Sequence, residues 1–255
     1  MASSDSYMKT LRFELCVESL EAAQVAEAGG ADQVELCAAL AQGGVAPSAE
    51  LMRATVRAVS IPVSVLIRPR DGSFHFTAAE FDLMRRQIDE AGQAGAAGVA
   101  VGALLADRRV DVARTRELVE RAAPMKATFH RAFDGTPDLV EALEDVIATG
   151  ADCLLTSGGQ ADVLSGVDWI AQVCERAGDR LKVMAGGGLR LDNLAEVVRR
   201  TGVSMLHSSL IRRNNGRSAG TALNGCATVL EEDVREAIRI FHREFDARIP
   251  APSAD

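Results

Sequence analysis

The sequence predicts an α/β protein, a single-domain (β/α)8 TIM barrel with parallel strands. Three observations favour this fold: a repeated segment that leads from a glycine into an apolar run, eight such short apolar runs in all, and amphipathic segments between them. Strict alternation of strand and helix implies parallel strands joined by right-handed crossovers. Eight such units fit a closed barrel better than an open doubly wound sheet.

The repeat accounts for four of the strands. Its copies read GADQVELC from Gly30, GAAGVAVG from Gly95, GADCLLTS from Gly150 and GVSMLHSS from Gly202. In each copy a glycine ends an amphipathic or polar stretch, and a short apolar run follows two or three residues later. This pattern is typical of a helix that a glycine closes and that turns tightly into a buried strand.

The other four strands are predicted from apolar runs between the repeats, LRFELC from Leu11, PVSVLIR from Pro62, MKATFHR from Met125 and LKVMAGG from Leu181. The eight runs start roughly 22 to 36 residues apart. Helical patterns such as SAELMRATVRAV and LVEALEDVIAT fill the intervals, and VLEEDVREAIRIFHREF supplies the last helix.

Domain boundaries follow from the first strand and the last helix. We expect one barrel domain over residues 11–247, with no linker that would mark a second domain. A flexible N-terminal segment at 1–10 and a flexible C-terminal tail at 248–255 are predicted to flank it.

Composition excludes several classes of protein. The 255 residues include 28 basic and 36 acidic ones, a net charge of -8, and the two signs are interspersed. This argues against a nucleic-acid or anionic-membrane surface. The start MASSDSYMKT has no apolar stretch typical of a signal peptide, and nowhere do about eighteen apolar residues follow one another. We therefore expect a cytoplasmic protein with no membrane partner.

Polar side chains are predicted to meet at the C-terminal ends of the strands, where active sites of this fold gather. Alternation along a strand turns residues i and i+2 the same way. Glu14 with Cys16, and Glu35 with Cys37, are therefore expected inside the barrel. The same parity, and the residues that directly follow strand five, add Arg68, Arg70, Thr128, His130, Arg131, Asp134, Thr156, His207 and Ser209.

So many charged groups at one end point to a small-molecule site, since buried charges are costly unless they are paired. The alternative is a layer of salt bridges that closes the barrel. Carboxylates and imidazoles transfer protons, and guanidinium groups hold anionic substrates. The candidate catalytic residues are Glu14, Glu35, His130, Asp134 and His207, and the candidate anion-binding arginines are Arg68, Arg70 and Arg131.

Glycine-rich loops after strands six and seven, and serines after strand eight, add further candidates for anion binding. Backbone amides at a helix start attract anions, and the loops after strands seven and eight are the usual phosphate location in this fold. Tight turns explain the same glycines equally well. The candidates are Thr156, Ser157, Gly158, Gly186, Gly187, Gly188, Ser208 and Ser209.

Two of the five cysteines, Cys16 and Cys37, end matching Glu-Leu-Cys triplets. An odd number of scattered cysteines does not form a disulfide framework, so all five are predicted to be reduced thiols. Adjacent parallel strands lie about 4.8 Å apart, which makes these two thiols predicted neighbours. Three roles stay open for them. They could be inert neighbours, form a reversible disulfide, or act as a pair of soft ligands of the kind that Cu(I) favours.

Eight motifs follow one another in order: FELCVES, GGADQVELCAAL, QGGVAPS, IRPRDGSF, TFHRAFD, LTSGG, VMAGGG and HSS. Together they resemble the CutC copper-homeostasis family over roughly residues 11–209. The resemblance implies a cytosolic (β/α)8 barrel that assembles as a homo-oligomer, a dimer or a tetramer, with Cys16 and Cys37 as Cu(I) ligands. Past His207 the segment RRNNGRSAGTALNG departs from the family pattern.

Three functions follow from these observations. The first is copper homeostasis, with Cu(I) held by Cys16 and Cys37. The second is an isomerase or lyase that acts by acid-base chemistry on a small phosphorylated or carboxylated metabolite. The third is a non-catalytic scaffold, which predicts that every charge at the mouth is paired.

The enzyme hypothesis has two versions. A Schiff-base aldolase is disfavoured because the predicted strand six, DCLLTSGG, has no lysine, and Lys126 and Lys182 begin their strands at the opposite end. A metal-assisted version that uses Glu14, Glu35, His130 and His207 stays open.

Overall fold

Eight parallel strands, hydrogen-bonded in chain order, close into a barrel in the computed structural model, which describes residues 11–211 and 229–248. The predicted fold is confirmed. The predicted flexible segment at 1–10, the tail from 249 and the divergent segment at 212–228 lie outside the described residues. The strands are β1 (Arg12–Val17), β2 (Gln33–Leu36), β3 (Val63–Leu66), β4 (Gly98–Val101), β5 (Lys126–Phe129), β6 (Cys153–Thr156), β7 (Lys182–Gly186) and β8 (Met205–Ser208).

A helix follows each strand and packs on the outside of the barrel. The last helix contacts both the seventh and the first, which completes the outer ring. Within the described ranges no helix has the length and apolar character needed to cross a membrane. The helices are α1 (Leu20–Ala28), α2 (Ala49–Ala58), α3 (Ala78–Ala94), α4 (Val112–Ala122), α5 (Leu139–Thr149), α6 (Val167–Ala177), α7 (Leu191–Thr201) and α8 (Glu231–Asp246).

The glycine of the repeat ends a helix as predicted. Gly95, Gly150 and Gly202 cap α3, α5 and α7 in the left-handed conformation, with φ of 85°, 82° and 67°. Gly30 takes the same role one residue beyond the cap of α1, with φ of 90°. Only glycine adopts these angles without strain, so each helix turns into the next strand within a few residues.

Side-chain alternation places the main core between sheet and helices. Phe13 and Leu15 of β1 pack in one cluster with Val34 and Leu36 of β2 and with helix residues. A separate small cluster joins Cys16, Cys37, Leu66 and Ala100. The outward and inward faces of β1 and β2 are therefore those predicted, and the two thiols belong to the inward face.

Strand register sets which inward residues share a level. Leu66 pairs with Ala100, and Ala100 pairs with Thr128, on the consecutive strands β3, β4 and β5. Two residues further along, just past the ends of these strands, lie Arg68, Gly102 and His130, where alternation again turns side chains inward. These three positions form a second level above the first at the C-terminal mouth.

A glycine in α3 offers a simple stability prediction. Gly92 is exposed in the last turn of α3, and an added methyl group would meet only the Cε atom of Met125 at 3.6 Å. Because alanine loses less backbone entropy in a helix, we expect Gly92→Ala to raise the free energy of unfolding by about 0.5 kcal/mol. Urea denaturation measures this. Gly95→Ala, at φ of 85°, is the control and should destabilise; a gain in both variants would contradict the prediction.

Candidate functional site

The thiols of Cys16 and Cys37 lie side by side inside the barrel. Their Sγ atoms are 3.4 Å apart, both residues are buried, and neither is in a disulfide. The backbone fixes this contact, because the amide of Cys37 donates to the carbonyl of Val17 at 2.9 Å. The predicted proximity of the two thiols is present in the structure.

A carboxylate and an imidazole lie next to the Cys16 thiol. The Sγ atom of Cys16 is 3.7 Å from Oε1 of Glu35. One possible ligand atom from each of Cys16, Glu35 and His207 lies within 4.8 Å of the other two. The structure thus gathers donors from β1, β2 and β8 at one place.

Burial changes the acidity of this group of residues. Burial raises the pKa of Glu35 to about 7, with the positive charge of His207 opposing that rise and the charge of Glu14 adding to it. The hydrogen bond with Cys37 raises the pKa of the Cys16 thiol well above its usual range, and burial and the charge of Glu35 act in the same direction. A metal ion that binds Cys16 as a thiolate must therefore displace a proton.

Buried Glu14 and His207, whose side chain is 12% exposed, form a pair across the β1–β8 seam of the barrel. The Nδ1 atom of His207 is 2.6 Å from Oε1 of Glu14, and the other oxygen of Glu14 accepts from Nε2 of Gln33 at 2.6 Å. Burial by itself would lower the pKa of His207, but the hydrogen bond with Glu14 and the charges of Glu35 and Glu14 outweigh it and raise that pKa. The hydrogen bond with Glu14 therefore favours the protonated form of the imidazole.

Gln33 is a site residue that the sequence analysis missed. It lies two positions before Glu35 on β2, so the same parity would have placed it inside the barrel. Its side chain carries no charge, so acid-base chemistry alone does not single it out.

Arg68 is buried with its guanidinium among backbone carbonyls. Its Nη1 atom donates to the carbonyls of Gly43 and Gly44, both at 2.9 Å, and its Nη2 atom donates to Gly72 at 2.7 Å. The guanidinium carbon lies 4.6 Å from the centre of the Phe74 ring. The Nε atom is buried, and no described residue accepts a hydrogen bond from it.

His130 is held as a neutral imidazole at the same level. Its Nδ1 atom accepts a hydrogen bond from the amide of Ala132 at 3.3 Å, and its ring centre lies 4.9 Å from that of Phe74. Burial and the positive charge of Arg68 lower the pKa of His130 to about 3. The proton therefore sits on Nε2, which is also buried and has no partner in the part of the chain that the structure describes.

The neutral state of His130 makes stability depend on pH. An unfolded histidine has a pKa near 6.5, and that of His130 is about 3 in the fold. Between these values the unfolded chain binds a proton that the folded chain does not, so stability falls as the pH falls through this window. From about pH 7 to about pH 5 we expect a loss of about 2 kcal/mol from this residue.

Urea unfolding of the wild type and of His130→Gln at both pH values isolates this contribution. Glutamine does not titrate, so the variant should lose less stability on acidification. An identical pH dependence in the two proteins would contradict the prediction.

Arg70 is not brought to the other site residues. Its Nε atom donates to Oε1 of Glu80 at 2.6 Å, and its Nη atoms donate to the carbonyls of Asp71, Ser73 and His75. These contacts tie the loop after β3 to the start of α3. Anion binding by Arg70 stays a prediction, and the contacts observed here assign the side chain to the loop.

Asp134 organises the loop after β6. Its two oxygens accept hydrogen bonds from Nε of Arg131 at 2.8 Å, from Oγ1 of Thr156 at 2.5 Å, from the amide and hydroxyl of Ser157, and from the amide of Gly159. Arg131 also donates to the hydroxyl of Ser157 at 2.8 Å. With five donors around it, Asp134 is placed to hold loops together, and its predicted proton transfer stays a prediction.

The loops after β6, β7 and β8 use their predicted anion-binding residues in internal contacts. The amide of Gly158 donates to Oγ1 of Thr156 at 2.8 Å. The hydroxyl of Ser208 donates to the carbonyl of Leu189 at 2.8 Å. Gly187, which follows Gly186 and precedes Gly188, lies against the Arg131 guanidinium, where an added Cβ would be 2.8 Å from Cζ. Ser209 is half-buried beside this group, and an anion site here stays a prediction.

The donor set of the thiol pair fits a soft metal ion. Cysteine thiolates select Cu(I), and imidazole and carboxylate extend the choice to borderline ions. Two thiolates on one ion with bonds of about 2.3 Å lie about 3.8 Å apart at the tetrahedral angle, slightly more than the 3.4 Å between Cys16 and Cys37. A small movement of either side chain would admit an ion.

The fold and the site define a TIM-barrel protein whose mouth carries a thiol pair beside acid-base groups. The chain belongs to the CutC family, whose model matches residues 11–212. A CutC family protein of Caulobacter vibrioides (strain NA1000 / CB15N) is 46% identical over 196 residues, which cover 77% of this chain and 80% of the relative. One of Rhizobium meliloti (strain 1021) is 38% identical over 247 residues, which cover 97% and 99%. The predicted family is confirmed.

Solved structures agree with this assignment. A Streptococcus agalactiae protein named as a copper homeostasis protein CutC superposes with a TM-score of 0.74 at 26% identity, covering 78% of this chain and 99% of that one. Thiamine phosphate pyrophosphorylase of Pyrococcus furiosus superposes with a TM-score of 0.58 at 15% identity, covering 92% and 97%. The second likeness shows the fold alone.

Proposed function

We propose that this protein binds Cu(I) through Cys16 and Cys37 and serves copper homeostasis in the cytoplasm. The observation that carries the proposal is the buried pair of Sγ atoms 3.4 Å apart on adjacent strands. A reducing cytoplasm keeps such thiols available as ligands. The name of the Streptococcus agalactiae relative supports the same function. The homo-oligomer implied by the family resemblance is part of this proposal, and its mass in solution checks it.

The residues around the thiols have defined tasks in this proposal. Glu35, 3.7 Å from the Cys16 sulfur, is placed to take the proton that the thiol must lose. The imidazolium of His207 balances the negative charge that the thiolates would bring. Because ligand thiols must be deprotonated, Cu(I) affinity should rise with pH.

An anaerobic titration in competition with a chromogenic Cu(I) chelator tests the proposal. We expect the wild type to take up a single Cu(I) per chain, and the Cys16→Ser, Cys37→Ser double variant to lose this binding. Cys153→Ser is the matched control because Cys153 is also buried but belongs to a separate cluster with Leu155 and Met184. Equal stoichiometry and affinity in the wild type and the double variant would remove the proposal.

A second candidate function is favoured by the Glu14–His207 pair beside Glu35. This candidate is an isomerase or lyase that acts on a small carboxylated or phosphorylated metabolite. A general base works best when its pKa lies near the operating pH, and that of Glu35 is about 7. The scaffold hypothesis is disfavoured, because Arg68 and His130 each keep a buried donor that no described residue pairs.

A metabolite screen tests the second candidate. The wild type is incubated with small acids and sugar phosphates, with and without divalent metal ions, and turnover is followed by NMR. Glu35→Gln should abolish any turnover found while leaving the fold intact. Turnover that persists in Glu35→Gln, or a screen that finds none, would count against this candidate.

A further inference from the structure

Two buried hydrogen-bond donors are unused at one level of the barrel mouth. Arg68 is 6% exposed and His130 is 5% exposed. Among residues 11–211 and 229–248, neither the Nε atom of Arg68 nor the Nε2 atom of His130 has a hydrogen-bond partner. Buried polar groups in native proteins are nearly always paired, so two unpaired donors at one level of the barrel require an explanation.

Both unpaired atoms are donors. Arginine keeps its Nε hydrogen at any pH that a protein survives. His130 accepts from the amide of Ala132 through Nδ1, which leaves the hydrogen of the neutral ring on Nε2. The missing partner is therefore a hydrogen-bond acceptor.

The two donors lie on either side of Gly102. The register of β3, β4 and β5, extended just past the ends of these strands, places Arg68, Gly102 and His130 at the same level. A Cβ on Gly102 would be 2.8 Å from Cε1 of His130, so the imidazole packs against Gly102, the position between the two donors. The Phe74 ring lies beside both groups. Its centre is 4.6 Å from the guanidinium carbon of Arg68 and 4.9 Å from the centre of the His130 imidazole.

The charge at this level selects the kind of acceptor. The hydrogen bonds of Arg68 all go to backbone carbonyls, and within the described ranges no carboxylate accepts from it. Asp71 is the acidic neighbour that acts on Arg68, but it is exposed. Arg70 is occupied by Glu80. One positive charge beside a neutral imidazole and an aromatic ring matches a singly charged anion better than a phosphate dianion.

We propose that Arg68 Nε–H and His130 Nε2–H bind the carboxylate of a small-molecule ligand. The inference rests on the second candidate function, whose substrate class it narrows, and it is independent of copper. Leu36 pairs with Val65, so Cys37 comes level with Leu66. The two donors lie just above that level, toward the mouth.

Calorimetric titration and thermal denaturation test the inference, with acetate, glycolate, pyruvate and inorganic phosphate as probes. We expect at least one monocarboxylate to bind and to raise the Tm, and phosphate to do neither. Arg68→Lys keeps the charge without the Nε–H, and His130→Leu removes the other donor. Each should weaken carboxylate binding roughly tenfold or more.

Two variants separate binding from a merely structural effect. His130→Gln keeps an N–H near the position of Nε2 and should retain carboxylate binding that His130→Leu loses. Arg114→Lys makes the same chemical change at a guanidinium 5.1 Å from the Phe81 ring, with Asp111 at 3.8 Å, and should bind like the wild type. If Arg68→Lys does not fold, the comparison of His130→Gln with His130→Leu decides.

The inference is overturned if no monocarboxylate binds, if phosphate binds in preference, or if Arg68→Lys and His130→Leu bind carboxylates as the wild type does. Carboxylate binding without any turnover would remove the second candidate function and leave the binding site standing. Loss of Cu(I) binding alone would bear on the thiol pair and not on this site.

Discussion

Replacing Glu14 with glutamine is expected to lower the free energy of unfolding by about 3 kcal/mol. Glu14 is 2% exposed, and its Oε1 atom lies 2.6 Å from Nδ1 of His207. Glutamine cannot supply the counter-charge for a protonated His207, and removing one partner of a largely buried pair costs more than the pair itself contributes. The bond from Gln33 to the second oxygen of Glu14 adds to the loss.

Urea unfolding of Glu14→Gln, His207→Gln and the double variant checks this result. Because the cost comes from an uncompensated charge, the double variant should lose less than the sum of the two single variants. The pair raises the pKa of His207, so its contribution is full below the unfolded histidine pKa of about 6.5 and declines as the pH rises through the folded pKa. Additive losses, or a loss that grows with pH, would contradict the assignment of a charged pair.

Replacing Asp134 with alanine should also destabilise the protein by about 3 kcal/mol or more, because buried donors lose their acceptor. The Asp134 side chain is only 8% exposed. It accepts from Arg131 and Thr156, twice from Ser157, and from Gly159. A residue that acted only in proton transfer would not carry this cost.

Asp138→Ala is the matched control in the same region. Asp138 is exposed and caps α5 by accepting from the amides of Val140 and Glu141, so its loss should cost about 1 kcal/mol. Asp134→Asn keeps one acceptor oxygen and should fall between the two alanine variants. If Asp134→Ala stays within about 1 kcal/mol of the wild type in urea unfolding, the loop-organising role is wrong.

The inward-facing residues of the strands were predictable because side-chain direction on a strand depends only on parity. Cys16 and Cys37 were placed together by that rule, and the 3.4 Å between their sulfurs agrees with it. The closed barrel followed from repeats that are local in sequence. Both inferences need no knowledge of how the loops run.

Loop residues were harder to place, because their partners depend on the path of the chain between elements. Arg70 meets Glu80 through a loop that periodicity does not describe. Asp134 meets Ser157 and Gly159, which lie more than twenty positions away in the sequence. The tautomer of His130 is set by a single backbone amide, that of Ala132. Such contacts appear only once the turns have their three-dimensional form.

The β1–β8 seam has a consequence for the order in which the site can be made. Glu14 and His207 are 193 positions apart. During translation Glu14 therefore emerges from the ribosome long before His207, its partner across the seam. The nascent chain carries both thiols and Glu14 without their cationic neighbour for most of its synthesis. An ion that binds early would therefore meet the two thiols and Glu14 without His207, a set with a different charge from that of the finished chain.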